Sequence, residues 1–449
     1  MNQLLQPTQT VRTQTSQTLC AVDHLIGGGG QGEVYAARLG DPAKGHSQTP
    51  VALKWFYPHY LGQDRQLEQR LSDAIAAGPP SDRFLWPQEL VRSGEVAGFG
   101  YLMPLREKRF SGIVDLVMRR VNPSFRSLVT AGFELAQSYF LLHAKGLCYR
   151  DISFGNVFFD PKSGEVRICD NDNVGIDRKT GGGIGGTARF MAPEIVRGEA
   201  APSSQTDLFS LAVLLFYMLM NHHPLEGARE ADIRCFDLPA MTRLYGDEPI
   251  FIFDPTDDRN RPLAGYHDNA LALWPLYPAF LRELFIRSFT AGLRDASHGR
   301  VRESEWRAGL VRLRDSIYYC THCGAENFYD GEAVRANGGS PNPCWSCNRI
   351  PQLPPRIRLN REIVLLNHDT VLYPHHIDDR EQYNFRTAVA KVVQHPRNPQ
   401  IWGLQNLTGN KWVSRAQDGT TFDVLAGQTV TLSSGTRLHF GQREGEIRF

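Results

Sequence analysis

The chain has 449 residues, 41% of them hydrophobic and 22% charged, with a formal net charge of +1. That length exceeds what one hydrophobic core organises, so one large domain with smaller modules is expected. The balanced charge offers no basic excess to attract nucleic acid or anionic lipid, and the most apolar run, Leu208 to Met220, is too short for a bilayer that needs about 20 apolar residues.

Residues 1–18 are rich in Gln and Thr without apolar periodicity, and read as a disordered tail. Its hydroxyls (Thr8, Thr10, Thr13, Thr15, Ser16, Thr18) are candidate phosphoacceptors. No charged segment followed by an apolar one opens the chain, so no secretory signal is expected and the cytoplasm is the default location. Cys20, Cys148, Cys169 and Cys235 are scattered through apolar segments and read as reduced thiols.

From Val22 to Leu53 the pattern is strand, glycine turn, strand, loop, strand. The turn, Gly27-Gly-Gly29-Gly-Gln-Gly32-Glu-Val34, lets backbone amides approach a polyphosphate with no Cβ in the way. Alone it also fits a dinucleotide fold or a merely flexible loop. A dinucleotide fold would continue as a helix, whereas Glu33-Val-Tyr-Ala-Ala-Arg reads as a strand, followed after a polar loop by the strand Val51-Ala-Leu-Lys54-Trp.

Beyond Val114 long amphipathic or apolar segments dominate, so a small β-rich lobe precedes a larger helical one. Two motifs follow there: Cys148-Tyr149-Arg150-Asp151-Ile-Ser-Phe-Gly-Asn156 and Ile168-Cys-Asp170-Asn171-Asp172. Then come Gly186-Thr187 through Ala192-Pro193-Glu194, and Thr206-Asp207 opening the apolar run.

In order and spacing these motifs resemble the protein kinase family, in its eukaryotic-like bacterial Ser/Thr form, over residues 19–315. The resemblance implies an α+β bilobal kinase fold, with an N-lobe over about 19–105 and a C-lobe over about 106–315. It implies ATP and magnesium or manganese as cofactors and a protein Ser/Thr as substrate. Asp151 would orient the substrate hydroxyl, Asn156 and Asp170 would hold the metal, and Lys54 would position the nucleotide. Gly27, Gly29, Gly32 and Val34 would cover the nucleotide, Met103 and Leu105 would supply the adenine hinge, and Glu68 would pair with Lys54. Glu194 would form a structural ion pair with Arg300.

The chain departs from the family at several points. Tyr149 replaces a histidine at a packing position, and Asn171 and Asp172 replace the phenylalanine and glycine after the metal-binding aspartate. Ser153 stands where Ser/Thr kinases place a lysine near the γ-phosphate, which predicts depressed turnover. Retention of Lys54, Asp151, Asn156 and Asp170 favours an enzyme over a nucleotide-binding pseudokinase scaffold, since binding alone does not require all four. Arg150 beside Asp151 suggests recognition of a phosphorylated activation segment, with Thr180 as acceptor, while Thr187 would sit near the substrate hydroxyl.

Around Tyr318 the composition turns to Cys, Gly, Asn and Pro. Cys320-Thr-His-Cys323 and Cys344-Trp-Ser-Cys347 present four thiolates at the spacing of a zinc ribbon over 316–350, with His322 read as a bystander in preference to an alternate ligand. Four sulfurs leave no position for water, so this zinc is expected to be structural. After Pro351 to Pro355, short alternating runs such as Ala390-Lys-Val-Val and Arg437-Leu-His-Phe predict a small β-sandwich over 356–449. It resembles a forkhead-associated domain lacking that family's Gly-Arg and Ser-x-x-His signatures, which favours docking over phosphothreonine reading. The combined architecture resembles kinases of bacterial tellurite-resistance phosphorylation systems. That resemblance implies a von Willebrand A protein and a metal-dependent Ser/Thr phosphatase as partners, with no nucleic acid and no membrane.

Overall fold

Six strands open the chain: β1 (Thr10–Thr13), β2 (Leu19–Gly28), β3 (Gly32–Leu39), β4 (Thr49–Phe56), β5 (Glu89–Arg92) and β6 (Gly100–Pro104). They close into a barrel in the order β1-β2-β3-β4-β6-β5. The computed structural model describes residues 3–40, 47–177 and 186–449. The chain divides into two units, Met1–Pro123 with Ala131–Leu271 and Leu284–Trp306, and Ser124–Thr130 with Ala272–Glu283 and Arg307–Phe449.

The two-residue alternation of β3 and β4 sorts their side chains onto two faces. Tyr35, Ala37, Val51, Leu53 and Trp55 point into the barrel core with Leu102. Ala52, Phe56, Tyr101 and Met103 face the other way and pack on Leu67 and Leu71 of the helix Leu67–Ala77. Lys54 shares this second face, with Val34 opposite it on β3 and Tyr101 opposite it on β6.

The expectation of a disordered tail over residues 1–18 is corrected for the described part. Leu5 is fully buried and Val11 nearly so, both inside the barrel core. β1 pairs with β2 on one side and with β5 on the other, which closes the barrel. The Leu4 amide donates to Glu33 Oε2 at 2.9 Å and the Leu5 amide to Tyr35 Oη at 3.0 Å. Two leucines and one valine are too few to produce a periodic signal, yet burial of each contributes about 1.5–3 kcal/mol. Thr13 is buried and bonded to Ser16, whereas Thr15 and Ser16 remain exposed.

In the rest of the first unit, the hairpin Val157–Phe159 with Val166–Ile168 precedes the site turn. The helix Ser204–Met220 buries the apolar run from Leu208 onward. Ser203 caps that helix by accepting from the Thr206 amide, and Asn221 ends it in the left-handed region. No described helix is long and apolar enough to cross a membrane.

In the second unit the hairpin Ile317–Tyr319 with Glu326–Phe328 carries the first cysteine pair at its turn. The ring of Phe328 packs 5.0 Å from Phe125 and 5.1 Å from Tyr277, which ties residues 124–130 and 272–283 to the cysteine module. Beyond it lies a six-stranded sheet in the order Glu362–Leu365, Arg356–Leu359, Glu444–Arg448, Arg437–His439, Trp412–Arg415, Thr421–Val424. A four-stranded sheet runs in the order Val371–Leu372, Ala390–His395, Asn398–Asn406, Thr429–Thr431. Ile357, Trp412, Leu438 and Ile447 of the first sheet share one core with Ala390, Leu404 and Val430 of the second.

Candidate active site

The glycine turn joins β2 to β3 and is held by the Gly29 amide donating to the Gly32 carbonyl at 3.0 Å. Gly32 must be glycine, because a Cβ there would lie 2.2 Å from the Trp55 carbonyl oxygen. Beneath the turn is a cavity of about 760 Å³. Gly27, Gly29, Gly32 and Val34 form its roof, and Met103 and Leu105 one wall. Lys54, Arg106, Asp151 and Asp170 are its charged lining.

Lys54 is 4% exposed and its Nζ lies 2.9 Å from Asp172 Oδ2 and 3.4 Å from Asp170 Oδ1. It also donates to Gln31 Oε1 at 2.8 Å. Burial works against its charge, but the carboxylates of Asp172 and then Asp170 outweigh it and raise its pKa above the ordinary lysine value. The Tyr101 hydroxyl donates to Asp172 Oδ1 at 3.0 Å, and burial together with that carboxylate pushes its pKa well up. Burial likewise raises the Asp170 pKa, partly offset by Lys54.

The assignment of Glu68 as the Lys54 partner is corrected. Glu68 sits on the exposed side of the helix Leu67–Ala77, whose buried residues are Leu67 and Leu71, and pairs with Arg92 at 2.5 Å. Asp172 takes its place because the chain turns sharply after Asp170, which adopts φ 51°, into the short helix Asn171–Asn173. Asn171 fixes that turn by donating to the carbonyls of Leu85 at 2.8 Å and Ile168 at 3.1 Å. Gln31 Nε2 reaches Asn173 Oδ1 at 3.0 Å, so the glycine turn is tied to the same helix. The signal for Asp172 was a carboxylate where the motif it resembles has glycine; nothing local marked Gln31 or Tyr101.

Asp151 is held from two sides. The amide and hydroxyl of Thr187 both donate to its Oδ1 at 3.0 Å, and Asn156 Nδ2 donates to its Oδ2 at 3.0 Å and its carbonyl at 2.8 Å. With its amide nitrogen so engaged, Asn156 offers its carbonyl oxygen. The Cys169 amide donates to the Asn156 backbone carbonyl at 3.0 Å, which connects the Asp151 loop to Asp170. Tyr149 is more than packing: it is fully buried and its hydroxyl donates to the Cys169 carbonyl.

Under this loop lies Asp207, which accepts from the amides of Tyr149 and Arg150 and lies 3.1 Å from His143 Nε2. His143 Nδ1 faces Glu303. Burial disfavours the imidazolium, but Asp207 and Glu303 raise its pKa to about 9. Glu194 accepts from Arg300 at 2.8 Å. The guanidinium of Arg150 lies where a Cβ on Gly175 would be, 2.1 Å from that position. Thr180 lies outside the described residues.

The oxygen donors of Asn156 and Asp170 suit a hard divalent cation, and the Asp170 carboxylate is 36% exposed toward the cavity side. Ser153 is buried and uncharged, so Lys54 and Arg106 are the described cations lining the cavity.

In the second unit the sulfurs of Cys320, Cys323, Cys344 and Cys347 lie within 4.8 Å of one another. Cys320 Sγ is 3.7 Å from Cys347 Sγ, and Cys323 Sγ is 3.7 Å from Cys344 Sγ. The His322 amide donates to Cys320 Sγ at 3.4 Å and Asn327 Nδ2 to Cys344 Sγ at 3.6 Å. Burial would raise the Cys344 pKa, but the amides of Cys347 and Ser346 with Asn327 bring it down to about 6. Four such sulfurs are compatible with a structural zinc.

Residues 122–260 match the family model described as protein kinase domain. That stretch holds Asp151, Asn156 and Asp170. The chain is 37% identical over 106 residues to a putative protein kinase C delta type homolog of Drosophila melanogaster, covering 23% of this chain and 15% of that protein. It is 29% identical over 118 residues to a probable serine/threonine-protein kinase of Zea mays, covering 25% and 18%. It is 26% identical over 239 residues to beta-adrenergic receptor kinase 1 of Homo sapiens, covering 49% and 32%. The chain thus spans under a third of the length of these relatives.

Proposed function

We propose that this chain, which carries a protein kinase domain, transfers the γ-phosphoryl group of ATP to serine or threonine hydroxyls of proteins. The observation that carries the reading is the meeting of Lys54, Asp151 and Asp170 in one cavity under a glycine turn, with Asn156 bonded to Asp151. Asn156 and Asp170 would hold magnesium or manganese, which supplies charge neutralisation on the triphosphate. Lys54 would position the phosphates. Asp151 would orient the incoming hydroxyl and take its proton as the new oxygen–phosphorus bond forms and the bond to the ADP oxygen breaks. With no lysine at Ser153, one cation aimed at the developing charge is lacking, and groups of that kind contribute a few kcal/mol each.

Exposed Thr15 and Ser16 are candidate autophosphorylation sites, as is Thr180. The forkhead-associated-like reading of the last domain as a docking module rests on the sequence resemblance. So do the von Willebrand A and phosphatase partners, whereas the zinc ribbon rests on the paired cysteines and their clustered sulfurs and cytoplasmic residence on the lack of a secretory signal pattern.

Radiolabel transfer from γ-labelled ATP to a generic protein substrate, compared between the wild-type chain and Asp151→Ala, tests the reading. Label incorporation should fall by about 10²-fold or more in the variant. Equal incorporation by both, or none by either, would return the chain to a nucleotide-binding scaffold.

A further inference from the structure

Beside the cysteine module, the outer face of the six-stranded sheet forms a groove of about 1170 Å³. Five arginines line it, Arg335, Arg356, Arg358, Arg361 and Arg448, and no Asp or Glu does. Arg448 is bonded to Glu446 at 3.0 Å, and the nearby Glu362 is taken by Arg443 at 2.9 Å. The other four guanidinium groups form no ion pair among the described residues. Arg356 lies directly opposite Arg448 in the strand register and Arg358 opposite Glu446, so that one carboxylate stands among the groove's strand arginines. Such a concentration stands out in a chain of net charge +1.

We propose that this groove binds an extended acidic peptide segment of a partner protein. Planar guanidinium groups recognise carboxylates in bidentate fashion and are less strongly hydrated than ammonium groups, which suits an anion-reading surface. The groove of about 1170 Å³ exceeds the ~300–1,000 Å³ of a small-molecule site and is lined from the cysteine module, residues 350–353 and the sheet, so it fits a chain segment better than a metabolite. Its rim carries exposed Ile350 and Phe449 and the Tyr329 ring, with Arg356 5.7 Å above that ring. Apolar groups among the arginines suit a peptide with hydrophobic side chains between its acidic ones. The balanced charge of the whole chain gives no extended positive field of the kind that holds a nucleic-acid backbone.

The test is fluorescence anisotropy on the full chain without nucleotide, using fluorescein-labelled octaglutamate, octaglutamine and oligothymidylate. Octaglutamate should bind, octaglutamine should not, and binding should weaken from low to physiological salt. Reversal of two arginines, Arg356→Glu with Arg358→Glu, should weaken octaglutamate binding by at least ~10-fold while bound metal and thermal midpoint stay unchanged. If that pair disturbs the sheet, Arg335→Glu with Arg361→Glu, both exposed and outside the strands, should give the same loss. Unchanged binding by a folded variant, absence of octaglutamate binding, or tighter binding of oligothymidylate than of octaglutamate would each overturn the proposal.

Discussion

Lys54 Nζ lies 2.9 Å from Asp172 Oδ2, a contact with both side chains almost wholly buried. Lys54 therefore takes its nearest carboxylate from two residues after Asp170, and the helix Leu67–Ala77 supplies none. Position and charge of Lys54 are thus coupled to the turn that also carries Asp170.

Replacing Asp172 with Asn removes the nearer of the two carboxylates that offset buried Lys54 and leaves only Asp170 at 3.4 Å; breaking a buried pair costs about 3–5 kcal/mol. Phosphoryl transfer by Asp172→Asn should fall by about 10²-fold, with the ATP KM raised, whereas Glu68→Gln should stay within about twofold of wild type. Steady-state kinetics with varied ATP measures both. A large loss in Glu68→Gln with little in Asp172→Asn would mean that the helix supplies the partner during turnover.

The first residues matter for stability. Leu5 is fully buried in the barrel core, and Leu5→Ala should destabilise the first unit by about 2–5 kcal/mol. Urea unfolding followed by tryptophan fluorescence reads this, since Trp55 lies in the same core. A shift below about 0.5 kcal/mol would show that the segment is held loosely.

His143 predicts a pH dependence. Its folded pKa of about 9 lies above the ordinary histidine value of 6.5, so the folded state binds the proton more tightly than the unfolded state. The stabilisation is fully present below about pH 6.5 and is lost as pH rises through about 9, amounting to roughly 3 kcal/mol. Thermal melts of wild type and His143→Gln across this range should differ most at the acid end and converge at the alkaline end. Parallel curves would refute the buried imidazolium.

The four sulfurs predict about one tightly bound zinc per chain. Metal analysis should detect it, and Cys323→Ser or strong chelation should release it with loss of order around Tyr318 and Phe328. Retention of full metal by Cys323→Ser would rule out the four-sulfur site.

That Lys54, Asp151 and Asp170 would meet, with Asn156 beside Asp151, was readable from the order of the motifs. The paired cysteines were readable from their spacing. Asp172 was visible only as an oddity where glycine was expected. Gln31, Tyr101 and His143 were not readable, since a hydrogen bond between residues 23, 71 or 64 positions apart leaves no local trace. The opening segment failed differently: a few buried leucines do not make a periodic pattern, but they suffice when a strand edge is waiting for a partner.

By itself the sequence decided which residue types are present and at what spacing: a glycine turn before a strand lysine, an aspartate and asparagine five positions apart, and thiols in pairs. These follow from local backbone and ligand requirements that hold in any surroundings. Only the tertiary structure decided which carboxylate neutralises Lys54, that residues 10–13 close a barrel, and that five arginines share one groove. Each of those depends on distances between distant segments, which are set by how whole faces pack and not by the identity of any one residue.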